Sequence, residues 1–160
     1  MRALVAYDSV FGNTEQIAQA IGKALGSGED VRVLRVGNVE AGHLAGLGLL
    51  IVGSPTRAFR PTPATTNFLK GIPARGLRGV RVAAFDTRIS MDHTVPGILR
   101  FMAGIFGYAA RPIADRLVRK GGELAVPPEG FIVMGSEGPL KEGELERAAD
   151  WARQIEVQRA

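Results

Sequence analysis

The chain has no cysteine in 160 residues, and only two histidines. The first absence excludes a disulfide scaffold, a thiol nucleophile, an iron–sulfur cluster and any thiolate metal site. Redox chemistry would therefore require a borrowed cofactor. His43 and His93 stand apart from any carboxylate cluster at ligand spacing, so no metal site is expected. Aromatic residues make up only 6% of the chain. Recognisable nucleic-acid motifs with interleaved aromatics are missing, which argues against a nucleic-acid partner. Long hydrophobic runs are missing as well. The most apolar stretch, 95–110, has sixteen residues, of which three are glycine, with Pro96 and Arg100 besides. A spanning helix needs about 20 apolar residues, so no transmembrane segment is expected. A strand-like run begins at Ala3, without the basic start and small-residue cleavage site of a signal peptide, and cytoplasmic residence is the expectation.

What is present suits one folded domain, 1–160, at roughly 150 residues per domain. The apolar content of 46% is enough to bury a core. Charge is unevenly distributed: residues 1–56 carry a net −1, 57–120 a net +9 and 121–160 a net −4. The middle of the chain therefore favours a ligand or partner of negative sign. Five short apolar runs, 3–7, 31–36, 49–52, 80–85 and 131–134, read as strands separated by helix-length segments. The first, third and fifth are almost wholly apolar, as in strands covered on both faces, whereas Arg32 and Arg35 mark the second as an edge. Ile17, Ala18, Ile21, Ala24 and Leu25 lie on one helical face, with Asn13 and Gln16 at capping-box spacing. A closing helix carries Leu145, Ala148, Ala152 and Ile155 on one face and Glu142, Glu144 and Glu146 in its first turns. This alternation predicts a doubly wound α/β sheet, in which ligands bind beyond the carboxyl ends of the strands.

The loop after the first strand holds Asp8, Ser9, Val10, Phe11, Gly12, Asn13 and Thr14. Backbone N–H groups at a helix start, with the Ser9, Asn13 and Thr14 side chains, suit a phosphate without a lysine. Neither Gly-Lys-Ser/Thr at the loop end nor Gly-x-Gly-x-x-Gly is present, so ATP hydrolysis and Rossmann-type NAD binding lose support. A polar turn with an ordinary helix cap remains the competing reading.

Residues 5–7 with Ser9, Gly12, Thr14, Ala18 and Ile21 resemble the amino-terminal FMN-binding signature of the flavodoxin family, Ala6 departing where a larger apolar residue is usual. The resemblance covers the whole chain in element order. It implies a flavodoxin-like α/β fold, a five-stranded parallel sheet of order 2-1-3-4-5 with helices on both faces, and FMN as cofactor. Ser9, Val10, Phe11, Gly12, Asn13 and Thr14 would wrap the phosphate. Asp8 would point away from it, or hold the ribityl hydroxyls or the loop itself. Ser54, Pro55, Thr56, Arg57, Ala58 and Phe59 would lie against the isoalloxazine, with Phe59 or Arg57 able to stack on it. Asp86, Thr87 and Arg88 would lie beside its pyrimidine side.

The sequence departs from the family pattern after Arg88, where no tyrosine follows at the usual short distance and 95–106 looks inserted before the fourth helix. Ile98, Phe101, Met102 and Ile105 recur at helical spacing, as in a helix packed on the core. The alternative is an exposed apolar flap or docking patch, which leaves open a peripheral membrane contact through 95–106. Ser90, Asp92 and His93 share residue types with a hydrolytic triad, but sequence neighbours seldom have triad geometry and no nucleophile elbow is present. The family resemblance thus implies an electron carrier serving a redox partner protein or a quinone, with no catalytic side chain. An FMN-dependent NAD(P)H or quinone oxidoreductase is the alternative, and a binding module that has lost the cofactor is a third. The flavin loops hold Arg57, Arg60 and Arg88 against Asp86 alone, which predicts a raised flavin potential.

Overall fold

All five residues of β1 (Ala3–Tyr7) are buried, and their side chains divide between two cores because successive residues of a strand point to opposite faces. The computed structural model describes residues 1–90 and 95–158. After β1 come α1 (Asn13–Leu25), β2 (Val31–Arg35), the short α2 (Ala41–Leu44), β3 (Leu49–Pro55), α3 (Pro63–Gly71) and β4 (Arg81–Ile89). They are followed by α4 (Gly97–Phe106), α5 (Ala110–Arg119), β5 (Glu123–Leu124), β6 (Glu129–Val133) and α6 (Glu144–Val157). Val5, Tyr7, Ile51, Ala83 and Phe85 pack under α1 and α6, while Leu4, Ala6, Leu50, Val52, Val82 and Ala84 pack under α3 and α5.

The sheet is parallel throughout, with order β2-β1-β3-β4-β5. This is the expected doubly wound order 2-1-3-4-5. The fifth position differs from the single run expected at 131–134, because β5 and β6 both pair with the same edge of β4. Pro127 and Pro128 lie between them, and a proline has no N–H to give to a ladder. β3 and β4 run past their apolar cores, so Ser54, Pro55, Asp86, Thr87 and Arg88 are strand residues and not loop residues.

Two close approaches carry the sheet toward the site. Gly53 sits opposite Phe85 in the β3–β4 register, and a Cβ there would run into the Phe85 ring. Phe85, Phe131 and Trp151 then pack edge to face with centroids 6.0 to 6.1 Å apart, which puts Trp151 in the core. At the start of α6, buried Glu144 accepts from the Ile132 N–H at 2.7 Å and from Arg147, whose guanidinium lies 4.5 Å from the Phe131 centroid. The Arg147 hydrogen bonds, aided by the Ile132 N–H, outweigh burial and hold the Glu144 carboxyl below the usual range. This fixes the loop 134–143 that returns past the carboxyl end of the sheet.

Candidate functional site

A cleft of about 380 Å³ opens at the carboxyl ends of β1, β3, β4 and β6. The structure brings Ser9, Val10, Phe11, Asn13, Thr14, Pro55, Thr56, Arg57, Ala58, Thr87 and Arg88 together on its walls. Gly12, Ser54, Phe59 and Asp86 are not on the walls. Sequence reasoning missed Ile89, Val133 and Ser136, which also line the cleft. The signal was available for Ser136: the fifth apolar run ends in Gly135 and Ser136, a small polar turn at a carboxyl strand end like the other three.

The first loop is shaped by Gly12, whose φ of 95° lies in the left-handed region and makes it the N-cap of α1. Ser9 Oγ accepts from the Gly12 N–H at 3.1 Å and, more weakly, from Glu15 N–H at 3.4 Å. The capping box expected of Asn13 and Gln16 does not form. Gln16 N–H donates to the Gly12 carbonyl, and Asn13 Nδ2 donates at 3.1 Å to the Glu137 carbonyl of the returning loop. Among the described residues, the backbone N–H groups of Val10, Phe11, Asn13 and Thr14 donate to no protein acceptor. Two of these donors, on Asn13 and Thr14, belong to the first turn of a thirteen-residue helix and two to the loop before it, which makes this end of α1 an anion seat.

Buried Thr14 and Thr87 share one hydrogen bond, Oγ1 to Oγ1 at 2.7 Å. Two hydroxyls bring two protons and that bond uses one, so one O–H is left over on a pair of residues that line the cleft. Asp8 faces away from this seat toward Arg35, which lies 3.5 Å from its carboxylate and donates to the Ser9 carbonyl at 3.0 Å. Arg35 also stands 3.7 Å from Glu15 and over the Tyr7 ring at 5.4 Å. Burial, with the hydrogen bond to Glu15, raises the Tyr7 hydroxyl pKa. The edge-strand arginine is thus a brace for the loop, a role its alternation in the sequence did not suggest.

The second loop turns sharply. Arg57 and Arg60 exchange backbone hydrogen bonds at 2.8 and 3.0 Å, closing on Ala58 and Phe59, which both have positive φ, 48° and 65°. Non-glycine residues in this region carry backbone strain that the surrounding structure must hold. Fully buried Ser54 does the holding: its hydroxyl accepts from Thr62 N–H at 3.0 Å and donates to the Pro55 carbonyl at 2.9 Å. The Arg57 guanidinium lies 5.8 Å from the Phe11 centroid, so the first and second loops meet across the mouth.

Asp86 is fully buried, and Arg88 grips it in a fork, Nε to Oδ1 and a terminal nitrogen to Oδ2, both at 2.7 Å. The Ala110 N–H adds a third bond at 2.9 Å. Burial raises the Asp86 carboxyl above its ordinary value against the lowering pull of Arg88 and Ala110. The other face of Arg88 lies on the Tyr108 ring, 3.7 Å from its centroid. This corrects the expectation that Arg88 adds free positive charge beside the cleft, because its charge is matched by Asp86.

The insert also departs from the core-packed helix expected. In α4, Ile98, Leu99, Phe101 and Ile105 are exposed and Ala103 is buried. The Ser90, Asp92 and His93 group extends into 91–94, outside the described residues. His43 takes a structural role, its Nδ1 accepting the Glu40 N–H at 2.9 Å at the start of α2.

Strand order, crossovers and a cleft at the carboxyl strand ends together define a flavodoxin-like doubly wound fold. Solved structures agree. A flavodoxin from the domain Archaea superposes with a TM-score of 0.76 at 20% identity, each chain covered completely. Flavodoxin 1 from Bacillus cereus gives 0.73 at 16%, with 98% of each chain covered. The rubredoxin oxygen:oxidoreductase from Desulfovibrio gigas gives 0.71 at 18%, matching 99% of this chain to 37% of that one. No family model and no curated protein sequence matches the chain.

Proposed function

We propose that the protein binds FMN in this cleft and carries electrons between redox partners. The observation that carries the reading is the anion seat: four unpartnered backbone N–H groups and the Thr14–Thr87 hydroxyls at the start of α1, beside a slot walled by two other strand-end loops. Ser9, Asn13 and Thr14 with the loop N–H groups would hold the phosphate. Pro55, Thr56, Arg57, Ala58, Thr87 and Arg88 would border the ring. The bound flavin supplies the one- and two-electron chemistry that a chain without cysteine lacks. Flavodoxin-like neighbours, one of them part of a longer oxidoreductase, support the same reading.

Among the described residues, no Asp, Glu, His, Lys, Cys or Tyr lines the cleft, and Asp86 is locked behind Arg88. The described walls would bind, orient and shield the flavin, the part a carrier serving a protein or quinone partner needs. Titrating the purified protein with FMN and with riboflavin tests this, following the visible spectrum. One FMN bound per chain, with riboflavin much weaker, is the expected result. Equal affinity for the two would remove the phosphate seat. Rapid steady-state turnover of NAD(P)H with a quinone would instead make the protein an oxidoreductase.

A further inference from the structure

A surface helix ordinarily turns its apolar stripe inward. In α4 the stripe faces out. Ile98, Phe101 and Ile105 recur at intervals of three and four residues on one face and are 64%, 65% and 60% exposed, while Ala103 is only 4% exposed. Leu99 flanks the stripe at 41%. The segment that follows the helix is firmly placed. Past its end, Ala109 N–H donates to Thr56 Oγ1 at 3.1 Å, Ala110 N–H donates to Asp86, and Tyr108 stacks on Arg88. Thr56 and Arg88 are walls of the cleft, so the outward stripe is tied to the same end of the molecule as the mouth.

Among the described charges around it arginines predominate, with Asp115 as an exposed acid in the groove beside Ile105. From 95 to 114 the chain has Arg100 and Arg111 and no acidic residue. Arg57, Arg60, Arg100 and Arg111 are exposed and, among the described residues, none is in an ion pair. A second copy of the chain would bring a second positive face against the first, which like-charge repulsion opposes. An anionic bilayer offers acyl chains for the stripe and phosphates for the guanidiniums. Ten residues of helix span about 15 Å, half of a hydrocarbon core of about 30 Å, so the helix would lie in the interface and not cross it.

We propose that α4 is a membrane-surface anchor: its Ile98, Phe101 and Ile105 face enters an anionic lipid surface while the neighbouring arginines bind headgroup phosphates. The inference does not depend on FMN. It is tested by co-sedimenting the purified protein with phosphatidylcholine vesicles, with and without about one third phosphatidylglycerol, at low and high salt. The protein should bind the anionic vesicles at low salt and the neutral ones much more weakly. Phe101→Asp with Ile105→Asp should reduce binding at least about tenfold with an unchanged thermal midpoint, since both side chains are exposed. Arg100→Glu should reduce it several-fold and flatten the salt dependence. Undiminished binding by the double variant would overturn the anchor and leave surface adsorption by charge alone. Self-association abolished by the same substitutions would overturn it in favour of a second copy. Absence of both vesicle binding and self-association would overturn it in favour of a protein partner.

Discussion

The α1 corner and the α4–α5 corner stand at the same end of the sheet and are built inside out with respect to each other. At α1 the apolar face, Ile17, Ala18, Ile21 and Leu25, is buried and the polar backbone donors of the preceding loop are left free. At the α4–α5 corner the polar groups are consumed internally, Asp86 by Arg88 and Ala110, Thr56 by Ala109, and the apolar face is left outside. Apolar periodicity is similar in both helices. It establishes that a stripe exists, and the packing around the helix decides which way the stripe points.

The largest expected effect tests the inward polar half of this contrast. Arg88→Gln strands the Asp86 carboxylate in the core and should destabilise the fold by about 3–5 kcal/mol at neutral pH. The sign of the pH dependence follows from the raised Asp86 pKa. A folded state that binds the proton more tightly than the unfolded chain loses stability as pH rises from the ordinary carboxylate value toward the raised one. Removing the lowering pull of Arg88 widens that window upward. Urea denaturation of the variant at pH 5 should therefore recover part of the loss seen at pH 7. A small, pH-independent loss would mean that the fork is not what keeps Asp86 buried.

A matched pair of truncations probes the stripes directly. Ile21→Ala, at a fully buried position, should cost about 2–5 kcal/mol, whereas Ile105→Ala should stay within about 0.5 kcal/mol. Equal losses in thermal or chemical unfolding would show that α4 is packed and not outward-facing.

The outward polar half is tested at the α1 corner. Replacing both Thr14 and Thr87 by Val removes the one O–H that their shared bond leaves over and should weaken FMN by about 1.5–3 kcal/mol while leaving riboflavin nearly unchanged. Thr14→Val or Thr87→Val alone leaves one hydroxyl with its proton free and should cost less, measured by isothermal titration. A double variant that binds FMN normally would assign the phosphate to the backbone donors alone.

Much of the fold was legible because the determinants are local. Five apolar runs, a hydroxyl and glycine-rich first loop and the helical faces of 17–25 and 145–155 each report their own element, and the resemblance to flavodoxins supplied the order. What escaped depends on contacts distant in sequence. Asn13 meets Glu137 across 124 residues, so its capping role could not be judged from its neighbours. Arg35 braces a loop 26 positions away from the strand it belongs to. The split of the last strand was accessible in principle, since Pro127 and Pro128 precede the apolar run. The outward turn of α4 was not, because burial of a stripe is a property of its surroundings.

The smallest effect separates the two arginines that the sequence treated alike. Counted as residues, Arg57 and Arg88 both add positive charge beside the proposed flavin site, and both would raise the potential of a flavin bound there. In the structure Arg88 is neutralised at 2.7 Å by Asp86, while the Arg57 guanidinium is exposed, lies near the Phe11 ring and, among the described residues, is in no ion pair. A single free charge about 8 Å away at an effective dielectric near 20 is worth about 2 kcal/mol before solvent screening. At an exposed site screening leaves about half of that, on the order of 40 mV for one electron. Arg57→Glu should therefore lower the potential of bound FMN by several tens of millivolts, and the shift should shrink as salt is added. Arg88→Gln changes the charge by the same sign, yet the freed Asp86 carboxyl can take up a proton in compensation, so its shift should be smaller and should grow with pH. Redox titration of the two variants across pH and ionic strength checks this ordering. A larger, salt-insensitive shift from Arg88 would mean that its charge reaches the flavin despite the fork.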